Sequence, residues 1–568
     1  MASGISSEAA IAPAKPATGA KWPWALASLS AVLLDLPFPI AGPLPVWRSV
    51  FAWVALVPLI YAVLYDTTSP SSRDASNHPR HFLRRSFLLG YLSGVIWYVL
   101  NCYWIWATMH IYGGIGAIAS AGILLLYSIV LGLYFGAFTL VLALIRKGAR
   151  SIAPALIIAP LAWVGFELLA ARLTSVPWDQ LGYSQVDNFL LTRLASITGV
   201  YGISFVLMIG NALLAAALLS RTTQMRLRLG AGGVLLVFAL QMGSFVQPAP
   251  VPADHIAVLV QQNVGLADGY DWVGPEWETR TKKFLELSSQ TCGPYYVGMP
   301  GPNNKLVQVQ CFFSPAPSLI AWPESPAPFR ETDPHFQSLM KTLAAQSKSP
   351  LIVGNIGGER REFNSAEFIA PDGTFVGRYD KIHLVPFGEY VPYRGLIAFA
   401  GTLTQGVGEF SRGKFRKVFQ SGGHSYGIFI CYESVFADEI RHFAELGAEV
   451  FVNISDDGWY GDTSAPWQHL NMVRMRAIEN DRWILRATDT GVTAAIDPYG
   501  RVTQSAPRHI ETSLAAHYGY RDHLTFYTEH GEIFALACGI IALAATARGL
   551  RAALRTRRSP AAPLASNL

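Results

Sequence analysis

Three short apolar runs in this chain end in residues that together could perform covalent acyl chemistry. Tyr426-Gly-Ile-Phe-Ile-Cys-Tyr-Glu-Ser434 reads as a buried strand that delivers a thiol, Cys431, into a polar turn. Trp322-Pro323-Glu324-Ser325 closes a second run, and Tyr379-Asp380-Lys381-Ile382-His383-Leu384 follows a third. A lone strand-end cysteine is more often packing than chemistry, because cysteine is among the most buried residue types. A thiol near neutral pH is mostly protonated, so Cys431 becomes a nucleophile only beside a base or a positive charge. Glu324 is the candidate base and Lys381 the candidate charge, if the strand-like runs bring all three to one side of a sheet. Lys381 would then steady the thiolate and the oxyanion formed on attack at a carbonyl, with the Tyr432 backbone N–H as a second donor. Taken singly, Glu324 reads as a solvated strand-end carboxylate and Lys381 as a surface charge; the three together carry the reading.

The order Glu, Lys, Cys, with WPES, YDKIHLVPFGEYVP and ICYES around the three, resembles the nitrilase (carbon–nitrogen hydrolase) superfamily. Set among long apolar runs, it most resembles the membrane-embedded apolipoprotein N-acyltransferase branch, over nearly the whole chain. The resemblance implies a four-layer α-β-β-α sandwich for the catalytic part. It implies that Glu389, in Phe387-Gly388-Glu389, is a second site carboxylate that orients Lys381 or an incoming amine. Tyr432 and Glu433 match supporting residues beside the nucleophile. Trp272 matches an aromatic in an arm over the site, with Trp277 as a competing match and a lipid-facing anchor as the plainer role. The implied acyl donor is a glycerophospholipid, phosphatidylethanolamine or another, which would acylate Cys431. The implied acceptor is the free amine of the diacylglyceryl-cysteine that begins an apolipoprotein, the last step of bacterial lipoprotein maturation. No cofactor is implied.

Holding such a site takes two kinds of chain. Hydrophobic residues make up 51% and charged residues 15% of the 568, and the mean hydropathy is +0.29, which argues that part of the chain lies in lipid. A net charge of +5 is small for this length and points to no nucleic-acid partner. The five cysteines show no CxxC or Cys/His spacing, so no metal site is expected. Residues 1–20, rich in Ala, Ser, Gly and Pro, read as a disordered tail. Apolar runs near 22–41, 46–65, 86–107, 114–145, 152–171, 192–219, 227–246 and 529–548 make eight candidate spans, most of them near the roughly 20 residues needed to cross a bilayer. The first is interrupted by Asp35, Pro37 and Pro39, and it reads as a retained anchor rather than a cleaved signal peptide.

Basic residues fill alternate gaps: Lys15 and Lys21, then Arg73, Arg80, Arg84 and Arg85, then Arg146, Lys147 and Arg150, then Arg221, Arg226 and Arg228. Positive flanks stay cytoplasmic, so both termini should lie there and the large segment after the seventh span should face outward, into the periplasm of a bacterium. The expected division is a 1–20 tail, a seven-span membrane domain 21–248, a catalytic domain 249–525, an eighth helix 526–550 and a basic tail 551–568. Within the membrane part, Pro177-Trp178-Asp179-Gln180-Leu181-Gly182-Tyr183-Ser184-Gln185 reads either as an interfacial loop or, with Glu167, as the wall of a lipid-facing vestibule. Pairing with Arg172 is the plainer fate of Glu167.

From about Val251 short strand-like runs alternate with helical stretches near 275–289, 334–347, 436–446 and 466–480, which is α/β. Pro371-Asp372-Gly373 and Asp497-Pro498-Tyr499-Gly500 read as hairpin tips. Asp456, Asp457, Trp459, Gly461 and Asp462 form a polar loop that would wall the pocket, while Arg474 and Arg476 read as ion-paired structure. His383, His424 and His469 lack ligand spacing, and a papain-like Cys–His pair is disfavoured by the Glu324 and Lys381 motifs.

Three other functions were open to such a chain. A membrane amidase would share the triad but release ammonia or fatty acid. A transporter would show paired internal repeats, which are not evident. A scaffold with a dead catalytic domain would have lost a triad member, and none is lost. Cys292 and Cys311 flank a Pro/Gly-rich stretch and, in an oxidising compartment, should pair. Closing that loop would contribute about 3 kcal/mol by restricting the unfolded chain. Alkylation of both thiols under non-reducing denaturation would exclude the bond.

Overall fold

The computed structural model describes residues 21–65, 79–149, 151–264, 275–289, 293–301, 303–307, 316–390 and 409–558. Trp272, Cys292, Cys311 and the tail 1–20 lie outside the described residues.

The first half is helical. Among the described residues six helices are long and apolar enough to cross a membrane: Val46–Leu64, Ala117–Gly148, Ala153–Thr174, Val200–Leu219, Thr223–Phe245 and Ile533–Ala552. A bent pair, His81–Asn101 and Trp104–Tyr112, adds a seventh if its 50° break falls within one span. The helix Trp22–Asp35 has only 14 residues. At 1.5 Å per residue that is about 21 Å, short of the ~30 Å hydrocarbon core. It stops where Pro37 and Pro39 remove backbone donors.

Small residues let these helices approach closely. A Cβ on Gly94 would lie 2.8 Å from Phe135, and one on Gly136 2.8 Å from Phe87, so helix Pro79–Asn101 fits tightly against Ala117–Gly148. Thr139 Oγ1 also donates across this seam to the Ser86 carbonyl at 2.8 Å.

Beyond Val251 the chain forms two mixed sheets. One runs Thr512–Tyr518, His255–Gln261, Leu319–Ala321, Leu351–Gly357, Phe363–Ile369, Phe375–Asp380. The other runs Leu306–Val307, Tyr295–Val297, Val502–Ser505, Ala494–Ile496, Trp483–Thr488, Val450–Ser455, His424–Ile430, Val418–Ser421. Side chains alternate across a strand. Accordingly Ala257 and Leu259 share a core with Ile428, Ile430, Val452 and Ile454 of the other sheet, while Val258 and Val260 pack with Phe336 and Met340 of helix Pro334–Ser347. That helix starts with Pro334 at its first position and Asp333 capping the His335 N–H at 2.8 Å, and it buries a stripe of Phe336, Met340, Leu343 and Ala344. Both expected hairpins are present, with Gly373 (φ +84°) and Gly500 (φ +74°) supplying the left-handed turn positions.

Three strands of the larger sheet run parallel side by side: His424–Ile430, Val450–Ser455 and Trp483–Thr488. Apart from His424 and Ser425 they are buried along their length, and their runs are largely apolar, broken inside by Asn453 and Arg486, which bond each other.

Helix Ala465–Asn480 joins the two halves, and every residue of it is buried. Leu470 and Val473 belong to the sheet core, and Met472 and Met475 to the membrane-helix core. Its polar residues bind the membrane half: Gln468 accepts from Trp178 Nε1 at 2.9 Å and donates to the Asn101 carbonyl at 3.1 Å, and Glu479 accepts from the Val200 N–H at 3.0 Å. Arg474 pairs with Asp187 at 2.5 Å and Arg476 with Glu479 at 2.8 Å, the structural role expected of both.

Glu167 and Arg172 do not pair. Glu167 accepts from Trp163 Nε1 at 2.9 Å and from the Leu181 N–H at 2.8 Å, while Arg172 meets Glu532 and Asp438, each at 2.7 Å. Residues five apart do not face one another on a helix. A cavity of about 40 Å³ is bordered by Glu167, Trp97, Trp163, Trp178 and Asp179.

Candidate active site

Glu324, Lys381 and Cys431 come together, but from two sheets rather than one. Glu324 follows strand Leu319–Ala321 and Lys381 follows Phe375–Asp380 in the smaller sheet, whereas Cys431 follows His424–Ile430 in the larger. Convergence at facing strand ends lets three distant segments meet with little loop between strand and side chain.

Lys381 Nζ lies 2.9 Å from Glu324 Oε1 and 3.0 Å from Glu389 Oε1. All three are buried, with Lys381 only 1% exposed. Burial alone would push the Lys381 ammonium down, but the two carboxylates and the nearby Cys431 outweigh it and hold the group charged, well above its ordinary value. Glu324 Oε2 accepts the Asp456 N–H at 2.9 Å, and Glu389 Oε2 accepts the Val385 N–H at 2.7 Å. Each carboxylate is therefore fixed at both oxygens.

Asn364, on strand Phe363–Ile369, had no sequence signal and is central here. Its Nδ2 donates to Glu324 Oε1 at 2.7 Å and to Glu389 Oε1 at 2.5 Å, and its carbonyl accepts the Lys381 N–H at 2.9 Å. Only neighbouring carboxylates in the fold, invisible in the local pattern, reveal it.

Cys431 has φ +46°, in the left-handed region where a side-chain-bearing residue is strained. The strain is supported from outside. The Cys431 carbonyl accepts from Ser434 Oγ at 2.9 Å and lies 3.1 Å from His469 Nε2. Asp457 braces His469, with Oδ1 3.0 Å from Nδ1, and its other oxygen takes Arg486 Nη2 at 2.7 Å. His469 is thus a positioning residue behind the thiol; its only sequence signal is the dense polar segment it closes.

Burial pushes the Cys431 thiol up, Glu324 adds to the rise and Lys381 opposes it. Glu433 serves geometry. Its Oε1 accepts from Tyr379 OH at 2.8 Å and from the Ile382 N–H at 2.6 Å, and its Oε2 accepts the Ile430 N–H at 2.7 Å. One side chain thus ties the strand before Cys431 to the loop after Lys381. The Tyr432 hydroxyl donates to the Ser175 carbonyl of the membrane half at 3.0 Å, so the residue after the nucleophile touches the helical bundle.

Asp457 carries a stability prediction. It is wholly buried, and although burial raises its carboxyl, Arg486 and His469 hold it well below the ordinary 3.8. A depressed folded value means its contribution is complete above the unfolded value and is lost as pH falls through the folded one. Asp457→Asn leaves the Arg486 cation unpaired in the interior and is expected to cost about 3–5 kcal/mol, read as a lowered melting temperature in detergent.

The family profile Carbon-nitrogen hydrolase matches residues 310–517, and the profile Apolipoprotein N-acyltransferase N-terminal domain matches residues 30–213. The apolipoprotein N-acyltransferase of Geobacter metallireducens is 34% identical over 90% of this chain and 92% of its own. That of Methylococcus capsulatus is 32% identical over 84% of this chain and 88% of its own. Among solved structures, a carbon–nitrogen hydrolase superfamily protein from Xanthomonas campestris is 17% identical, covers 47% of this chain and 91% of its own, and has a TM-score of 0.34. With a buried carboxylate–lysine–cysteine site set on a bundle of apolar helices, and full-length relatives at this level of identity, the chain belongs to the apolipoprotein N-acyltransferase family of the nitrilase superfamily.

Proposed function

We propose that this chain moves an acyl group from a membrane glycerophospholipid to the N-terminal amine of a diacylglyceryl-cysteine apolipoprotein, through a thioester on Cys431. The observation that carries the reading is the Lys381 ammonium, buried between Glu324 and Glu389 beside a strained cysteine, in a chain whose Tyr432 reaches the membrane helices. In the first half-reaction Glu324 takes the thiol proton as sulfur attacks the donor's ester carbonyl, and Lys381 with the Tyr432 N–H holds the oxyanion. Collapse breaks the ester C–O bond, Glu324 returns the proton to the departing alkoxide, and a lysophospholipid leaves. In the second, the acceptor nitrogen attacks the thioester, the C–S bond breaks, and the sulfur regains a proton through Glu324.

Eight membrane spans, counting the bent pair as one and the short helix Trp22–Asp35 with the chain to residue 41 as another, a four-layer α-β-β-α catalytic domain over roughly 249–525 and phosphatidylethanolamine as donor belong to the same reading. So does a bacterial inner-membrane location with the catalytic domain in the periplasm and cytoplasmic termini. The alternation of basic gaps supports that orientation. A reporter active only in the periplasm should be active when fused after Gln247 and silent after Arg226; the reverse pattern would overturn it.

The test of function is a purified-enzyme assay with phosphatidylethanolamine and a diacylglyceryl lipopeptide. The expected products are N-acylated lipopeptide and lysophospholipid in equal amounts. Release of free fatty acid without N-acylation would instead favour a hydrolase. In the same assay Glu324→Gln should slow acylation by roughly 10²- to 10⁴-fold, the usual share of a general base; an unchanged rate would remove Glu324 from that role.

A further inference from the structure

The three parallel strands His424–Ile430, Val450–Ser455 and Trp483–Thr488 run in register, with Ile430 opposite Ile454 and Ser455 opposite Thr488. They therefore bring Asp456 level with Asp489 at their carboxyl ends, one residue beyond the level of Cys431, with successive strands about 4.8 Å apart. Cys431 is the nucleophile. Asp456 and Asp489 have no part in the mechanism above, yet the Asp456 N–H holds Glu324 Oε2 at 2.9 Å, which seats this pair against the triad.

Both carboxyl groups are anchored by backbone N–H donors. Asp456 Oδ1 accepts the Gly458 N–H at 2.8 Å, and Asp489 Oδ1 accepts the Val264 N–H at 3.0 Å. Asp489 is 4% exposed, and among the described residues neither carboxylate forms an ion pair. Two buried polar side chains, Gln262 against Asp489 and Asn364 against Glu324, also present oxygens with no donor. Gln262, 7% exposed, gives its Nε2 to the Pro326 carbonyl and its amide reaches Asp489, while its Oε1 stays unpartnered. Asn364, 4% exposed, spends its Nδ2 on Glu324 and Glu389, and its Oδ1 stays unpartnered. That amide is not reversible, because flipping it would aim oxygen at two carboxylates. The site thus gathers two carboxyl groups without an ion-pair partner and surplus acceptors, and a ligand bringing a cation with several N–H donors complements both.

We infer that Asp456 and Asp489, with Gln262 Oε1 and Asn364 Oδ1, form the receptor for the acceptor's N-terminal ammonium. This deepens the proposed function and rests on it for the identity of the acceptor. The pair also solves a chemical problem, since an ammonium has no lone pair with which to attack a thioester. Burial, together with the charge of each on the other and of Glu324, pushes Asp456 up, and burial pushes Asp489 up to about 7. A carboxylate near that value can hold the ammonium and take one proton from it. The neutral amine then attacks the thioester carbonyl, its second proton passes through Glu324 to the leaving sulfur, and the proton on the aspartate pair goes to water. Ammonium plus thioester becomes amide, thiol and one released proton.

The test measures binding without turnover, in full-length Cys431→Ala protein in detergent. Two probes are compared: a diacylglyceryl lipopeptide with a free N-terminus and the same lipopeptide acetylated there, which carries no charge. The free amine should bind at least about 10-fold tighter, the size of a charge-assisted hydrogen-bond contribution. Adding Asp456→Asn and Asp489→Asn together should erase that preference while the acetylated probe still binds, which also shows the variant is folded. Equal binding of the two probes to the Cys431→Ala parent, or a preference that survives in the asparagine variant, would overturn the inference. Wild-type protein assayed for N-acylated product separates the two ideas. An ammonium preference without product would sink the transferase reading and leave the receptor standing.

Discussion

Lys381→Met is expected to lower transfer by at least about 10³-fold, beyond the roughly 10²- to 10³-fold lost with a single ordinary oxyanion donor. The larger loss follows from what the ammonium separates. Glu324 and Glu389 both approach the same nitrogen and the same Asn364 amide, so without the cation two buried carboxylates face each other. One of them would then take a proton. If that is Glu324, the base is lost along with the oxyanion donor, so the two losses compound. Breaking a buried ion network also costs about 3–5 kcal/mol of stability, so the variant should melt earlier. Arginine should not rescue it, because a planar guanidinium does not fit a site built around one nitrogen. Single-turnover acylation is the proper readout, since it isolates the step from acceptor binding. A variant within 10-fold of the wild type would place Lys381 outside the chemistry.

Cys431→Ala is expected to reduce transfer to background, and Cys431→Ser nearly so. The thiol is already pushed up by burial, and a serine hydroxyl in the same place is far harder to deprotonate. In enzymes whose nucleophile and base act as a unit, losing the nucleophile costs on the order of 10⁶ in kcat. Fold should be spared, because the Ser434, His469 and Glu433 contacts around this turn are made to backbone atoms rather than to the thiol. Product measured against a no-enzyme control, with melting temperature alongside, separates loss of chemistry from loss of structure.

Which parts of this site can be read from sequence follows from where the information resides. Glu324 and Cys431 each follow a run whose apolar character reflects burial on a sheet, whereas Lys381 follows the half-exposed strand Phe375–Asp380, and the three together, with the resemblance, mark the site. The hairpins at Gly373 and Gly500 are likewise local, written in turn chemistry. Glu389 and Glu433 came through resemblance, and the contacts they make, to Lys381 and to the Ile430 and Ile382 N–H groups, could not be read from spacing. Asn364 and His469 matter because of what the two sheets and helix Ala465–Asn480 bring to them. In sequence that helix spreads Gln468, Arg474, Arg476 and Glu479 around its circumference among apolar residues, so periodicity does not tell a wet face from a packed one. It is buried all round because the membrane half supplies Trp178, Asn101, Asp187 and Val200 as partners. The first apolar run is helical only over Trp22–Asp35 for a local reason, prolines just past Asp35, which composition averaged over a window conceals.

The central claim is that Cys431 carries the acyl group between donor and acceptor. It is tested most directly by intact-mass and peptide mass spectrometry of the protein after incubation with phosphatidylethanolamine of one defined acyl chain and no acceptor. The account predicts one acyl adduct of that chain's mass, located on Cys431, labile to hydroxylamine, matched by an equal amount of lysophospholipid, and lost when a diacylglyceryl lipopeptide is added. An unmodified Cys431, with lysophospholipid appearing only when the acceptor is present, would contradict it.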